Sequence, residues 1–170
     1  MFMQKYSPIL ALFVLVALTV VSLTVIYISG QKNNLGANSA TVVTIERGPC
    51  FGFCPIYVAK VDKDGNVQVS GSKANAEGTF KEFSISYKLN SSAVDEIFAE
   101  AAVINFFSLN DEYVDPYITD IPEMKITLTK DGVTKSVRTY GLEDTVPVFL
   151  TEFGEKVDEL LQIKSRAGII

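Results

Sequence analysis

The stretch "IYVAKVDKDGNVQVSG", Ile56 to Gly71, sets two apolar, β-branched runs on either side of Lys-Asp-Gly. That pattern is a hairpin signal, because Asp-Gly tolerates the tight turn that joins two antiparallel strands. Upstream, "TVVTIER" (Thr41 to Arg47) is β-branched and reads as a further strand. Downstream, "TFKEFSISYKL" (Thr79 to Leu89) alternates through Phe83, Ile85, Tyr87 and Leu89, with an irregularity expected near Lys81 and Glu82. The period then changes: Val94, Ile97, Phe98 and Ala101 recur at helical spacing, and Ser92 with Asp95 reads as the N-cap arrangement. "MKITLTKDGVTKSVRTYG" is a second hairpin, around Asp131-Gly132. Thr145 to Ile163 reads as a second helix, with Pro147 in its first turn and Phe149, Phe153, Val157 and Leu160 along one face. The order β-β-β-β-α-β-β-α implies an α+β domain: a mainly antiparallel sheet of about six strands with two amphipathic helices. It is expected to run from Thr41 to Lys164, with 165–170 as a tail.

Residues 1–8 carry one charged side chain, Lys5, and are followed by "ILALFVLVALTVVSLTVIYI", Ile9 to Ile28, a run without charge. As a helix rising ~1.5 Å per residue it would span ~30 Å, the hydrocarbon thickness of a bilayer. A cleaved signal peptide is the rival reading. Its apolar region is shorter, about 7–15 residues, and ends at a small-residue site. Here the nearest such cluster, "GANSA" (Gly36 to Ala40), lies well past the run. A single uncleaved transmembrane anchor at Ile9 to Ile28 is therefore expected, with 29–40, polar and Gly/Asn-rich, as the linker to the domain. Lys5 and Lys32 nearly balance across the run, so orientation rests on its length and position, which place the C-terminal domain outside the cytoplasm.

Beyond Gly30 the chain has fourteen Lys/Arg and twenty Asp/Glu, and no basic stripe. This argues against nucleic acid and against an anionic lipid surface as partners. The chain contains no histidine, which removes Ser-His-Asp and Cys-His nucleophile pairs together with the commonest metal ligand. No cofactor is expected.

The only two cysteines lie in "RGPCFGFCPIY", at Cys50 and Cys54. Two thiolates without histidine fall short of a closed zinc site. Copper chaperones of the Sco type also carry Cys-x-x-x-Cys-Pro, but there a distant histidine completes the site and the cysteines stand near a helix, whereas a strand follows Pro55 here. A redox dithiol needs a cation or helix N-terminus to lower its pKa, and Arg47 is the only local cation. Close spacing and export favour a structural disulfide, with Gly52 letting the short loop turn. Thiol-based redox or copper handling at Cys50 and Cys54 is the alternative.

"DKDGN", Asp62 to Asn66, resembles the start of a calcium-binding EF-hand loop. Positions six and twelve of that loop need Gly and Glu, and here they fall on Val67 and Lys73, so a hairpin turn is the reading. "SLNDEYVDPYITDIPE", Ser108 to Glu123, is an acidic loop bearing Asp111, Glu112, Asp115, Asp120 and Glu123. Its carboxylates match no metal-ligand spacing, and the ordinary reading is a solvated loop. Tyr113 and Tyr117, with Asp115 and Asp120, make it the candidate recognition surface, since tyrosine gives contact area at low entropic cost.

Taken together, these residues resemble an uncharacterised prokaryotic family with the signature Cys-x-Gly-x-Cys-Pro-x-Tyr. The matching positions are Cys50, Gly52, Cys54, Pro55, Tyr57, Asp64, Gly65, Gly78, Tyr113, Thr119, Asp120 and Pro122, within Val42 to Leu161. The family is a domain of unknown function, so the resemblance implies a shared fold and no activity. The expectation is a membrane-anchored exported domain with a binding or structural role at the cell surface, more a binding module than an enzyme.

Overall fold

The computed structural model describes residues 40–169; the expected anchor at Ile9 to Ile28 lies outside them. The described residues form an α+β fold of seven strands and three helices. Strands β1 (Thr41–Arg47), β2 (Ile56–Asp62), β3 (Asn66–Ala74) and β4 (Phe80–Lys88) come first. Helix α1 (Ser92–Val103) and a 3-10 turn (Phe106–Ser108) follow, then β5 (Glu112–Val114), β6 (Met124–Lys130) and β7 (Val133–Tyr140). Helices α2 (Val148–Leu160) and α3 (Ile163–Ala167) close the domain. The sheet order is β4-β3-β2-β1-β6-β7-β5. All neighbours are antiparallel except β5 and β7, which run parallel.

Register explains which face is core. Ile85, Val69, Ala59, Ile45, Ile126 and Val137 stand opposite one another across six strands. One residue along, the row reads Ser86, Gln68, Lys60, Thr44, Thr127 and Ser136. Successive side chains point to opposite faces, so the first row meets the helices and the second meets solvent. Val43, Ile45, Val61, Val67, Val69, Ile126 and Leu128 are all but fully buried on the first face. Phe106 joins the helical layer, its ring 5.6 Å from that of Phe153.

Both Asp-Gly hairpins form. Asp131 (φ 52°) and Gly132 (φ 79°) are the two central residues between Lys130 and Val133, the mirror-image turn that suits the twist of paired strands. In the other hairpin the Asp62 carboxylate accepts the backbone N–H of Asp64 and of Asn66 and the Asn66 side-chain amide. Burial opposes ionisation there, yet those bonds hold its carboxyl below the usual carboxylate range. The carboxylate that suggested calcium thus builds its own turn.

Several expectations are corrected. The sheet has seven strands and is mixed, because three residues of the acidic loop pair in parallel with β7 as β5, too short to register as a strand in sequence. No irregularity occurs at Lys81 and Glu82, where β4 pairs with β3 without a break; the register shift lies instead between Thr41 and Val43. Phe80 is simply on the open face and Phe83 on the other. Ser91 is the N-cap of α1 without a side-chain bond, and Asn90 Oδ1 accepts the Ser92 N–H instead. The last helix breaks at Gln162 (φ 57°), so the expected tail begins inside a third, short helix. The buried stripe of α2 is Leu150, Phe153, Gly154, Val157 and Asp158, which leaves Phe149 exposed and rotates the expected face.

Gly154 sets how closely α2 approaches the sheet. A Cβ there would stand 2.1 Å from Met124 Sδ and 3.2 Å from Arg47 Nη2. Gly154→Val should lower unfolding stability by about 1–3 kcal/mol through overpacking. Gly154→Ala should fall between the two, since a helix-propensity gain of ~1 kcal/mol offsets part of the clash. Urea denaturation of the three proteins measures both.

Candidate functional site

Four loops leave the same end of the sheet: 48–55 after β1, 75–79 between β3 and β4, 115–123 after β5, and 141–147 after β7. The cysteine loop and the tyrosine-bearing loop, separated in sequence, are therefore neighbours. Gly48 N–H donates to Glu123 O at 2.8 Å, and Phe51 N–H donates to Asp120 O at 3.1 Å.

Cys50 and Cys54 form a disulfide, with Cα atoms 5.8 Å apart, inside the usual range for such a bond. Between them Gly52 adopts φ 133°, a conformation that L side chains rarely reach. The loop so closed projects Phe51, 85% exposed, and Phe53, 65% exposed. The Phe53 ring lies 6.4 Å from that of Phe80, itself half exposed on the open face. This aromatic cluster was missed in the sequence, although "CFGFC" carried the signal: two phenylalanines in a loop too short to bury them.

Of the loop residues expected to recognise a partner, Tyr113 is half-buried on β5, opposite Thr139, and its hydroxyl accepts the Asn110 N–H. Asp115 is a turn residue: its N–H donates to Tyr140 O at 2.7 Å and its Oδ1 accepts Tyr117 N–H at 2.8 Å. Tyr117 is 93% exposed. Asp120, at φ 68°, turns the chain so that its carbonyl meets the cysteine loop. The other carboxylates do not converge with these. Asp111 pairs with Lys135, and Glu112 and Glu123 share Arg138. The Arg138 hydrogen bond holds the Glu123 carboxyl below its ordinary range against the opposing effect of burial. Among the described residues no group of three His, Cys, Asp or Glu side chains is placed to hold a metal ion.

Arg47, the cation next to the cysteines in sequence, points away from them. Its Nε and Nη2 both donate to Asp158 Oδ2 on α2, at 3.0 and 2.7 Å, with the two side chains 19% and 6% exposed. Among the described residues the second oxygen, Oδ1, is buried without a hydrogen-bond partner. Tyr57 is buried against the pair, and burial first, then the Asp158 charge, raises its phenol well above the ordinary value. The feature that a low-pKa thiol would have needed is thus engaged in the core, and Pro55 leads into a strand rather than a helix.

Residues 41–161 match the family described as "Domain of unknown function (DUF6438)". The chain belongs to this family. A search of the curated proteins returns no match. The shared domain thus takes in the whole sheet, the cysteine loop and α2, Asp158 included.

Two expected outcomes follow from this geometry. Removing one partner of the buried pair leaves a charge uncompensated, so Arg47→Met or Asp158→Leu alone should cost about 3–5 kcal/mol. The double variant should cost much less than the sum, which a double-mutant cycle in urea would measure. Replacing Cys50 and Cys54 by serine should cost about 2 kcal/mol, the loop-entropy value for so short a ring, and leave the domain folded.

Proposed function

We propose that the chain is a membrane-anchored, exported binding module, held by Ile9 to Ile28, whose partner is met by the end of the sheet that joins the cysteine loop to the tyrosine loop. The prokaryotic family with the Cys-x-Gly-x-Cys-Pro-x-Tyr signature would share this arrangement. One observation carries the reading. The bond from Phe51 N–H to Asp120 O ties the loops together while Phe51, Phe53 and Tyr117 remain exposed. A monomeric domain gains nothing in stability from large side chains left in water, and exposed aromatics on braced loops are what a binding surface requires. The disulfide, in this reading, is a brace rather than a reagent. That role suits an exported domain, because such bonds persist in oxidising compartments.

The test is site-specific photo-crosslinking of the full-length protein in its native membranes. A photoreactive residue at Phe53 or Tyr117 should give discrete adducts, and one at Val133, exposed at the opposite end, should not. The protein should also stay with the membrane after an alkaline carbonate wash. Equal labelling from all three positions, or none from the first two, overturns the binding reading; release by carbonate overturns the anchor.

A further inference from the structure

Resting on that reading, the partner's chemistry can be argued from charge. The four loops at this end, 48–55, 75–79, 115–123 and 141–147, carry six carboxylates and no lysine or arginine. They are Glu77, Asp115, Asp120, Glu123, Glu143 and Asp144. Of the cations on the adjoining strand ends, Lys81 stands exposed on β4 beside the 75–79 loop, and the others are engaged. Arg47 is held by Asp158, Lys125 by Glu46, and Arg138 is shared by two glutamates. Lys73 donates to the carbonyls of Ala167 and Gly168. Lys63, Lys88, Lys130 and Lys135 all sit toward the opposite end of the sheet. Asp62, Asp64, Asp111 and Asp131 lie at that end too and match those lysines in number, so the loop end is the more acidic of the two.

The same four loops hold Phe51, Phe53, Tyr117 and Leu142, each more than half exposed. Apolar side chains and a surplus of carboxylates, of which Glu123 is paired with Arg138, thus share one edge of the molecule, spread over the width of the sheet. At ~4.8 Å between strands that width approaches 30 Å, the length of an extended segment of about nine residues. We infer that this end binds an extended basic peptide segment of a partner protein, in which Lys or Arg alternates with apolar residues. The carboxylates attract the cations over a Debye length and the aromatic rings take the apolar side chains and stack on guanidinium groups. An anionic bilayer surface, the other occupant for exposed phenylalanines, is repelled by the same carboxylates.

The probe is a fluorescein-labelled peptide of alternating lysine and leucine, with a glutamate–leucine peptide as its counterpart. Fluorescence anisotropy is read with the full-length protein in neutral detergent micelles, and empty micelles are subtracted. The lysine peptide should bind and the glutamate peptide should not, with affinity falling as salt rises. Asp115→Asn/Asp120→Asn/Glu143→Gln/Asp144→Asn should weaken binding about tenfold or more, and so should Phe51→Ser/Phe53→Ser/Tyr117→Ser. Asp131→Asn, at the far turn, should leave it unchanged; circular dichroism confirms that each variant is folded. Equal binding of both peptides, no binding of the lysine peptide, or indifference to either set of substitutions overturns the inference. So does tighter binding of the wild-type chain to phosphatidylglycerol vesicles than of the phenylalanine variant. If crosslinks form at Phe53 while the lysine peptide fails, the binding end stands and only the partner's chemistry is wrong.

Discussion

The contact between Arg47 and Asp158 is the constraint on which the arrangement of this domain depends. An ionised carboxylate on the buried stripe of a helix is tolerated only with a partner in place, because desolvating it alone costs several kcal/mol. Arg47 is the last residue of β1, and in register it stands between Tyr57 on β2 and Met124 on β6. Asp158 sits one helical turn beyond Gly154, which lets the helix come down onto Met124 and the guanidinium. One charge pair therefore fixes the height of α2 over the sheet and the point at which β1 gives way to the cysteine loop. Tyr57 is buried against the pair, its hydroxyl kept protonated by burial and by the Asp158 charge.

This explains which parts of the fold were legible in the sequence. Both hairpins, the first helix and the α+β class follow from local chemistry: Asp-Gly turns, alternation in the strands, and apolar residues at i, i+3 and i+4. What could not be read depended on partners distant in the chain. Asp158 looks like an ordinary polar residue in "EKVDEL" until Arg47, 111 positions earlier, is brought beneath it. Phe153 and Val157 were read correctly as core, but the stripe also takes in Leu150, Gly154 and Asp158, and the acid among them is not a residue that apolar spacing selects. Strand β5 was hidden for a different reason, since Glu112, Tyr113 and Val114 are too few to show a pattern and pair only because β7 offers an edge.

The candidate site was half legible. The cysteine pair and the tyrosine loop were each marked by composition, Cys50 with Cys54 and Tyr117 with Asp120. Their adjacency was not, since it is written in two main-chain bonds, from Gly48 to Glu123 and from Phe51 to Asp120, which no side-chain pattern reports. Nor did the sequence separate Tyr113 from Tyr117. One lies against the core and one in solvent because a single strand residue and a turn residue follow different rules of direction.

The two surfaces left open by the helices differ in a way that bears on where recognition belongs. The uncovered sheet face is lined with Ser, Thr, Gln and Lys, and its hydroxyls satisfy one another across strands, as Thr127 does with Ser136 and Thr129 with Thr134. Where hydroxyls are matched in this way, on β6 and β7, the face has little to gain from a ligand beyond what water supplies. The loop end is different. Its aromatic side chains are largely exposed, Phe53 meeting only the ring of Phe80 at its side, while the backbone beneath them is held by a disulfide and by main-chain bonds between the two loops. Binding loses free energy whenever mobile groups must be ordered, and here the disulfide and the bonds from Gly48 to Glu123 and from Phe51 to Asp120 already restrain the backbone. Side-chain exposure with a fixed main chain is the combination that lets a small domain recognise something without weakening its own core.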